Sequence, residues 1–251
     1  MERAATAIVT GGGKRVGAVI VAALLRDGWQ VAAHVHHDGD DVPDGATKVV
    51  ADLADGDCAR RIFDGCDALP PVRLLINNAA RFAADGFGEA SAPAFDAHMA
   101  VNARAPMLLI DELARRHDGG DALVVNITDA KLAAPNADFL SYTLSKYALA
   151  GLTEVAARAL AARGIRVNAI APALMLPSGD QDAANFAAMH AHNPLRRGVE
   201  PADVVAAIRF LIDSRSTTGQ TLTIDGGQRF WSLPRDVQFL SPSGDGQFPE
   251  T

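Results

Sequence analysis

Tyr142 and Lys146 stand four residues apart in a stretch with helical spacing, so their side chains share one helix face. A free tyrosine, with a pKa of about 10, is a poor acid–base group at neutral pH. A nearby ammonium favours the phenolate and lowers that pKa, which makes the pair a candidate proton donor with its tuning cation. A Tyr-x-x-x-Lys spacing is common by chance, so its weight depends on what surrounds it.

A second set lies near the start of the chain, where a strand-like run ends in Thr10-Gly11-Gly12-Gly13-Lys14-Arg15-Val16-Gly17. Glycines let the chain turn sharply and let a pyrophosphate approach the backbone. The helix expected to follow aims its positive N-terminus at that phosphate. The next strand-like run ends His34-Val35-His36-His37-Asp38. A site for NAD usually puts a carboxylate at that strand end, to bind the ribose 2′-hydroxyl. Val35 holds that position here, with Lys14, Arg15, His36 and His37 around it, a balance that suits a 2′-phosphate and so NADPH. A slip of one residue would let Asp38 restore the NAD-type carboxylate. The histidines have no clustered carboxylate or thiol to complete a metal site, so no metal is expected.

Groups so far apart in sequence need a frame. Strand candidates are Thr6–Val9, Gln30–Val35, 48–50, 74–76, Ala122–Ile127, 166–170 and Thr221–Ile224, several of them near-continuous apolar runs as in strands buried on both faces. Helical spacing covers 15–27, 57–68, 94–116, 140–163 and 201–214. This alternation implies a single α/β domain, 1–231, with a doubly wound (Rossmann) parallel sheet of seven strands and helices on both faces. Ligands of such sheets sit beyond the C-terminal strand ends. Two segments break the pattern. Residues 171–197, with Pro172, Pro177, Gly179 and Pro194, read as a loop with a short helix able to cover a site, or as a passive excursion. Residues 232–251 are polar but carry Phe239 and Phe248, which fits a frayed end or a tail docking on a neighbouring subunit.

Composition narrows the function classes. The chain has 251 residues, 49% of them hydrophobic, which suffices for one large core. A net charge of −7 argues against a nucleic-acid surface. The N-terminal residues do not read as a signal peptide, and no apolar run reaches spanning length, so the expectation is a cytoplasmic protein without membrane contact. Cys58 and Cys66 lack CxxC spacing and read as reduced, structural thiols.

Taken together, the chain resembles the short-chain dehydrogenase/reductase family from about residue 5 to residue 230. The resemblance rests on the glycine loop, Ala51-Asp52-Leu53, Asn77-Asn78-Ala79-Ala80, Asn102, the Tyr142–Lys146 pair, Arg166-Val167-Asn168 and Asp225-Gly226-Gly227. It implies that Asp52 faces the adenine, that Leu53 beside it also contacts the cofactor, and that Lys146 binds the nicotinamide ribose. It also implies that Asn102 helps hold a water linking Lys146 to solvent. Asn78, Ala79, Ala80, Thr128, Pro172 and Leu174 are implied to line the cofactor, with Leu174 reaching the substrate as well. A homotetramer is implied, with the helices of 94–116 and 140–163 at one interface.

One position departs informatively. Most members of the family have a serine where this chain has Asp129. A carboxylate there repels a developing oxyanion, but it can accept hydrogen bonds from ring nitrogens or pass them a proton. The substitution resembles the pteridine reductase branch, dihydromonapterin reductases included. Lys14-Arg15, the His34-Val35-His36 run and Phe82, placed to stack on a flat ring, resemble it too. Ala80 in place of a serine, and His37-Asp38 in place of an arginine–serine pair, do not. The resemblance implies hydride transfer from NADPH to a C=N carbon of a dihydropterin. Tyr142 would donate the proton, Asp129 would position Tyr142 and the substrate nitrogens, and Arg15 would contact phosphate and the pterin edge. A general carbonyl or 3-oxoacyl reductase is the alternative enzyme; a non-catalytic NADPH-binding protein is the alternative of another class.

Overall fold

A computed structural model describes residues 5–177, 181–231 and 233–240. Gly179 and Phe248 therefore lie outside the described residues. Seven parallel strands form one sheet: β1 (Thr6–Val9), β2 (Gln30–Val35), β3 (Thr47–Val50), β4 (Val72–Asn77), β5 (Ala122–Ile127), β6 (Ile165–Pro172) and β7 (Thr221–Ile224). Their order across the sheet is β3-β2-β1-β4-β5-β6-β7. The order in which strands are added thus reverses between β1 and β4, where a cleft opens at the strand ends.

Side chains alternate between the two faces, and both faces are buried. Ile8, Leu75, Val124 and Val167 point to one face, under α2 (Cys58–Asp64), α4 (Ala105–Arg116) and α5 (Leu140–Leu160). Val9, Leu74, Leu123 and Val125 point to the other, under α1 (Arg15–Arg26) and α7 (Pro201–Asp213). This double burial is why the strands read as apolar runs rather than as polar–apolar alternation. Cys58 and Cys66 are free, buried thiols.

The stretch 94–116, read as one helix, is three pieces. Residues Ala92–Met99 form α3, Ala100–Arg104 form a π-helical turn, and α4 follows. Pro106 has no N–H to give the carbonyl of Asn102, and the Ala105 N–H bonds instead to Ala100, five residues back. The widened turn carries Asn102. The helix expected over 57–68 is also shorter, ending at Asp64 before Gly65, where a Cβ would lie 2.9 Å from the Val49 side chain. Among its described residues, the segment 171–197 holds one short helix, α6 (Ala183–His190). Among the described residues, no helix is long and apolar enough to cross a membrane.

Candidate active site

A cleft of about 990 Å³ runs along the C-terminal ends of the strands. It takes in every cofactor, proton-transfer and substrate candidate named from the sequence except His37, Asn102 and the alternative carboxylate Asp38.

At one end is the glycine loop. Gly11 has φ +63°, and a Cβ on Gly17 would lie 1.9 Å from the Gly11 carbonyl oxygen, so only glycine fits that helix position. The N-cap of α1, Lys14, makes no side-chain cap, and the first turn has no acidic residue. Its free N–H groups and helix dipole therefore face the cleft as an anion site. Behind the loop, His34 is buried and braced at both ring nitrogens. Nδ1 accepts from the Gly11 N–H at 3.2 Å, and Nε2 donates to the Ala51 carbonyl at 3.0 Å. That arrangement needs the neutral ring, and burial pushes its pKa down.

The expected ring of cations around the β2 end is only partly present. His37 stacks on His36 at 4.0 Å, and only His36 lines the cleft. The His36 Nε2 lies 3.5 Å from the Asp52 carboxylate. Asp38 turns away, 93% exposed, with Lys48 at 3.7 Å, so it does not take the ribose position. Asp40 and Asp41, which the sequence pattern did not single out, line this end instead. Arg15 adopts φ +52°, a left-handed conformation unusual for a side chain of its size. Its guanidinium donates to the Pro177 carbonyl, 2.8 Å away on the covering segment.

At the other end, the Tyr142 hydroxyl donates to Asp129 Oδ2 at 2.7 Å, while Asp129 Oδ1 accepts the Lys131 N–H at 2.8 Å and caps a 3-10 turn, Ala130–Ala133. Lys146 is buried and donates to the Ile127 carbonyl at 2.7 Å, with its ammonium 5.6 Å from the Tyr142 ring centre. The expected lowering of the tyrosine pKa by this lysine does not hold in the chain by itself. Burial, then the charge and hydrogen bond of Asp129, push Tyr142 well above its ordinary value, because Asp129 touches the hydroxyl and the ammonium is engaged elsewhere. Burial lowers Lys146 to about 8. Asn102 sits behind the cleft. Its amide donates to the Arg81 carbonyl and the Ser145 hydroxyl, both at 2.9 Å, and its oxygen accepts the Arg81 N–H at 2.7 Å. It pins the turn before Phe82 to α5.

Phe82 stacks on Phe139 at 4.4 Å and meets Tyr142 edge-on at 4.7 Å. Phe139 is buried, has φ +56° and stacks in turn on Phe239 at 5.6 Å. The C-terminal segment 233–240 therefore packs on its own chain, and Leu233 and residues 235–238 line the cleft. It is tied down by Asp138, which accepts from Arg235 Nε at 2.8 Å and the Asp236 N–H at 2.7 Å. Among the described residues, no His/Cys/Asp/Glu cluster is placed to hold a metal.

A family model described as "Enoyl-(Acyl carrier protein) reductase" matches residues 13–229. The chain belongs to the short-chain dehydrogenase/reductase family. L-xylulose reductase of Bos taurus is 35% identical over 235 residues, covering 88% of this chain and 95% of that one. Pteridine reductase 1 of Leishmania tarentolae is 29% identical over 285 residues, covering 92% and 98%. Among solved structures, FolM alternative dihydrofolate reductase 1 from Brucella suis, in complex with NADP, superposes with a TM-score of 0.83 at 36% identity, covering 91% of this chain and 96% of that one. Within the short-chain dehydrogenase/reductase frame, sequence reasoning missed the brace at His34 and the active-site wall made by Lys131, Phe139 and residues 233–240. A histidine in an apolar strand was the only signal for the first. The second had none, because its parts are about 100 residues apart.

Proposed function

We propose that this chain is an NADPH-dependent reductase of a pteridine ring, of the dihydrobiopterin, dihydromonapterin or dihydrofolate kind. One observation carries the reading: a carboxylate, Asp129, is hydrogen-bonded to the proton-donating tyrosine where a carbonyl reductase needs a neutral donor. The likeness to FolM and to pteridine reductase 1 supports it. The open α1 N-terminus with Lys14, Arg15 and His36 fits a phosphorylated dinucleotide. Bound NADPH supplies the hydride.

The rest is done by side chains of the chain. Burial and Asp129 keep Tyr142 protonated, the state a proton donor must start in. When the substrate ring accepts a hydride at carbon, its adjacent nitrogen becomes basic and draws the Tyr142 proton. Lys146 then stabilises the phenolate and holds the nicotinamide ribose. Asp129 orients the hydroxyl and accepts N–H groups of the ring, and Phe82 offers a flat apolar surface. Asn102 acts as a positioning residue by fixing the approach to Phe82.

A general carbonyl reductase is the second reading, favoured by the 35% identity to L-xylulose reductase. The test is NADPH oxidation with dihydrobiopterin, dihydromonapterin, dihydrofolate and L-xylulose. Turnover confined to the sugar would overturn the pteridine reading, and no consumption with any substrate would favour a binding protein. Assembly as a homotetramer is also proposed, supported by the exposed apolar side chains Met107 on α4 and Leu144, Tyr147 and Val155 on α5. A monomer in light scattering would refute it.

A further inference from the structure

The segment 233–240 brings a second carboxylate into the cleft. Its tie to the domain is Asp138, whose oxygens are well served by Arg235 and the Asp236 N–H. The Asp236 side chain is not needed for that tie. It is 14% exposed and lines the cleft. Its Oδ1 accepts only the Gln238 N–H, at 3.2 Å, and its Oδ2 lies 3.5 Å from Lys131 Nζ. An ionised carboxylate can accept about four hydrogen bonds, so this one has spare acceptor capacity facing the site. It is also close enough to Asp129 and Tyr142 for the three to feel one another's charge. Residue 131 joins the carboxylates, since its N–H goes to Asp129 and its ammonium to Asp236.

We propose that Asp236 is a second substrate-recognising carboxylate, carried into the cleft by the C-terminal segment, which with Asp129 selects rings bearing N–H donors over plain carbonyl compounds. Two carboxylates around one proton donor disfavour any substrate that builds negative charge on oxygen. An amino-substituted nitrogen heterocycle supplies the N–H groups that both can accept, and a ring nitrogen gaining a proton is favoured by the same field. This inference rests on the pteridine reading, and it names the residue that makes the choice.

Asp236→Asn keeps the shape and removes the charge. The expected result is a KM for dihydrobiopterin raised at least tenfold, with the Kd for NADPH, followed by its fluorescence, changed less than twofold and L-xylulose turnover not lowered. Arg235→Gln weakens the tie to Asp138 and reports on closure of the segment. Equal losses with both substrates in Asp236→Asn would overturn the inference, as would an Arg235→Gln variant that shows no selective loss for dihydrobiopterin although the tie to Asp138 is weakened. So would unchanged kinetics in Asp236→Asn. Binding of a 2,4-diaminopteridine to the unaltered protein, measured by calorimetry, separates the two ideas. Binding that Asp236→Asn leaves intact sinks the role of Asp236 alone, whereas neither binding nor turnover in the unaltered protein sinks the pteridine reading and this inference with it.

Discussion

On the pteridine reading, replacing Asp129 by serine should shift substrate preference away from pteridines and towards carbonyl compounds. The fold tolerates the change, because serine can cap the turn that Asp129 Oδ1 now caps at the Lys131 N–H. For a pteridine, the variant loses a hydrogen bond to a charged acceptor, worth about 1.5–3 kcal/mol. That corresponds to a fall in kcat/KM of roughly 10- to 150-fold. For a carbonyl substrate the sign is opposite. Its oxygen must lie within hydrogen-bond reach of the Tyr142 hydroxyl, which is 2.7 Å from Asp129 Oδ2. The two oxygens are then about 4.5 Å apart, and full charges at that distance repel by about 4 kcal/mol at an effective dielectric of about 20. With the charge about half developed in the transition state, relief of about 2 kcal/mol gives a rise of roughly 30-fold. The ratio of the two specificities should therefore move by roughly 300-fold or more on combining these figures. Steady-state NADPH oxidation with dihydrobiopterin and L-xylulose measures it. A common fall in both activities, or a ratio that moves by less than about tenfold, would refute the electrostatic account of Asp129.

Other perturbations reach different parts of the site. Tyr142→Phe should lower turnover by about 10²- to 10⁴-fold while NADPH still binds; retention of most activity would remove Tyr142 as the proton donor. Gly17→Ala puts a methyl against the Gly11 carbonyl, so thermal denaturation should show a loss of about 1–3 kcal/mol and a fluorescence titration a weaker NADPH complex; an unperturbed variant would contradict the close approach of loop and helix. His34 is held neutral with a lowered pKa, and only the unfolded chain takes up its proton near the ordinary value. Its contribution is therefore full above pH of about 6.5 and is lost as the pH falls from there towards the lowered folded value, by at most about 1.4 kcal/mol per pH unit. His34→Gln, which can still accept from Gly11 and donate to Ala51, should flatten the fall of melting temperature between pH 7 and pH 5. An unchanged slope would show that His34 is not the titrating group.

The frame was legible because it repeats: strands of four to eight residues, mostly buried and mostly followed by a periodic helix, leave few topologies. The glycine loop and the Tyr142–Lys146 pair were legible for a local reason, since each is one short segment whose spacing sets its geometry. The π-turn at Asn102 was legible in principle from Pro106, four residues on, but a continuous helical period masked it. His36 and His37 as cations and Asp38 as a competing carboxylate were adjacent in sequence, so spacing alone did not say which of them faces the cofactor. Only the course of the following loop separates them, turning Asp38 to solvent and placing Asp40 and Asp41 along the rim of the cleft. Asp236 meets Lys131 across 105 positions, a separation at which no periodicity operates. The pKa of Tyr142 went against expectation because pair spacing carries no information about which group touches the hydroxyl.

The last described residues, 233–240, bear on the order in which the protein is built. They form one wall of the cleft and contribute little to the two apolar clusters that hold the sheet. A domain truncated near Trp231 should therefore keep its sheet and its cofactor end while losing one wall of the pocket, so the sheet can form before that wall is in place.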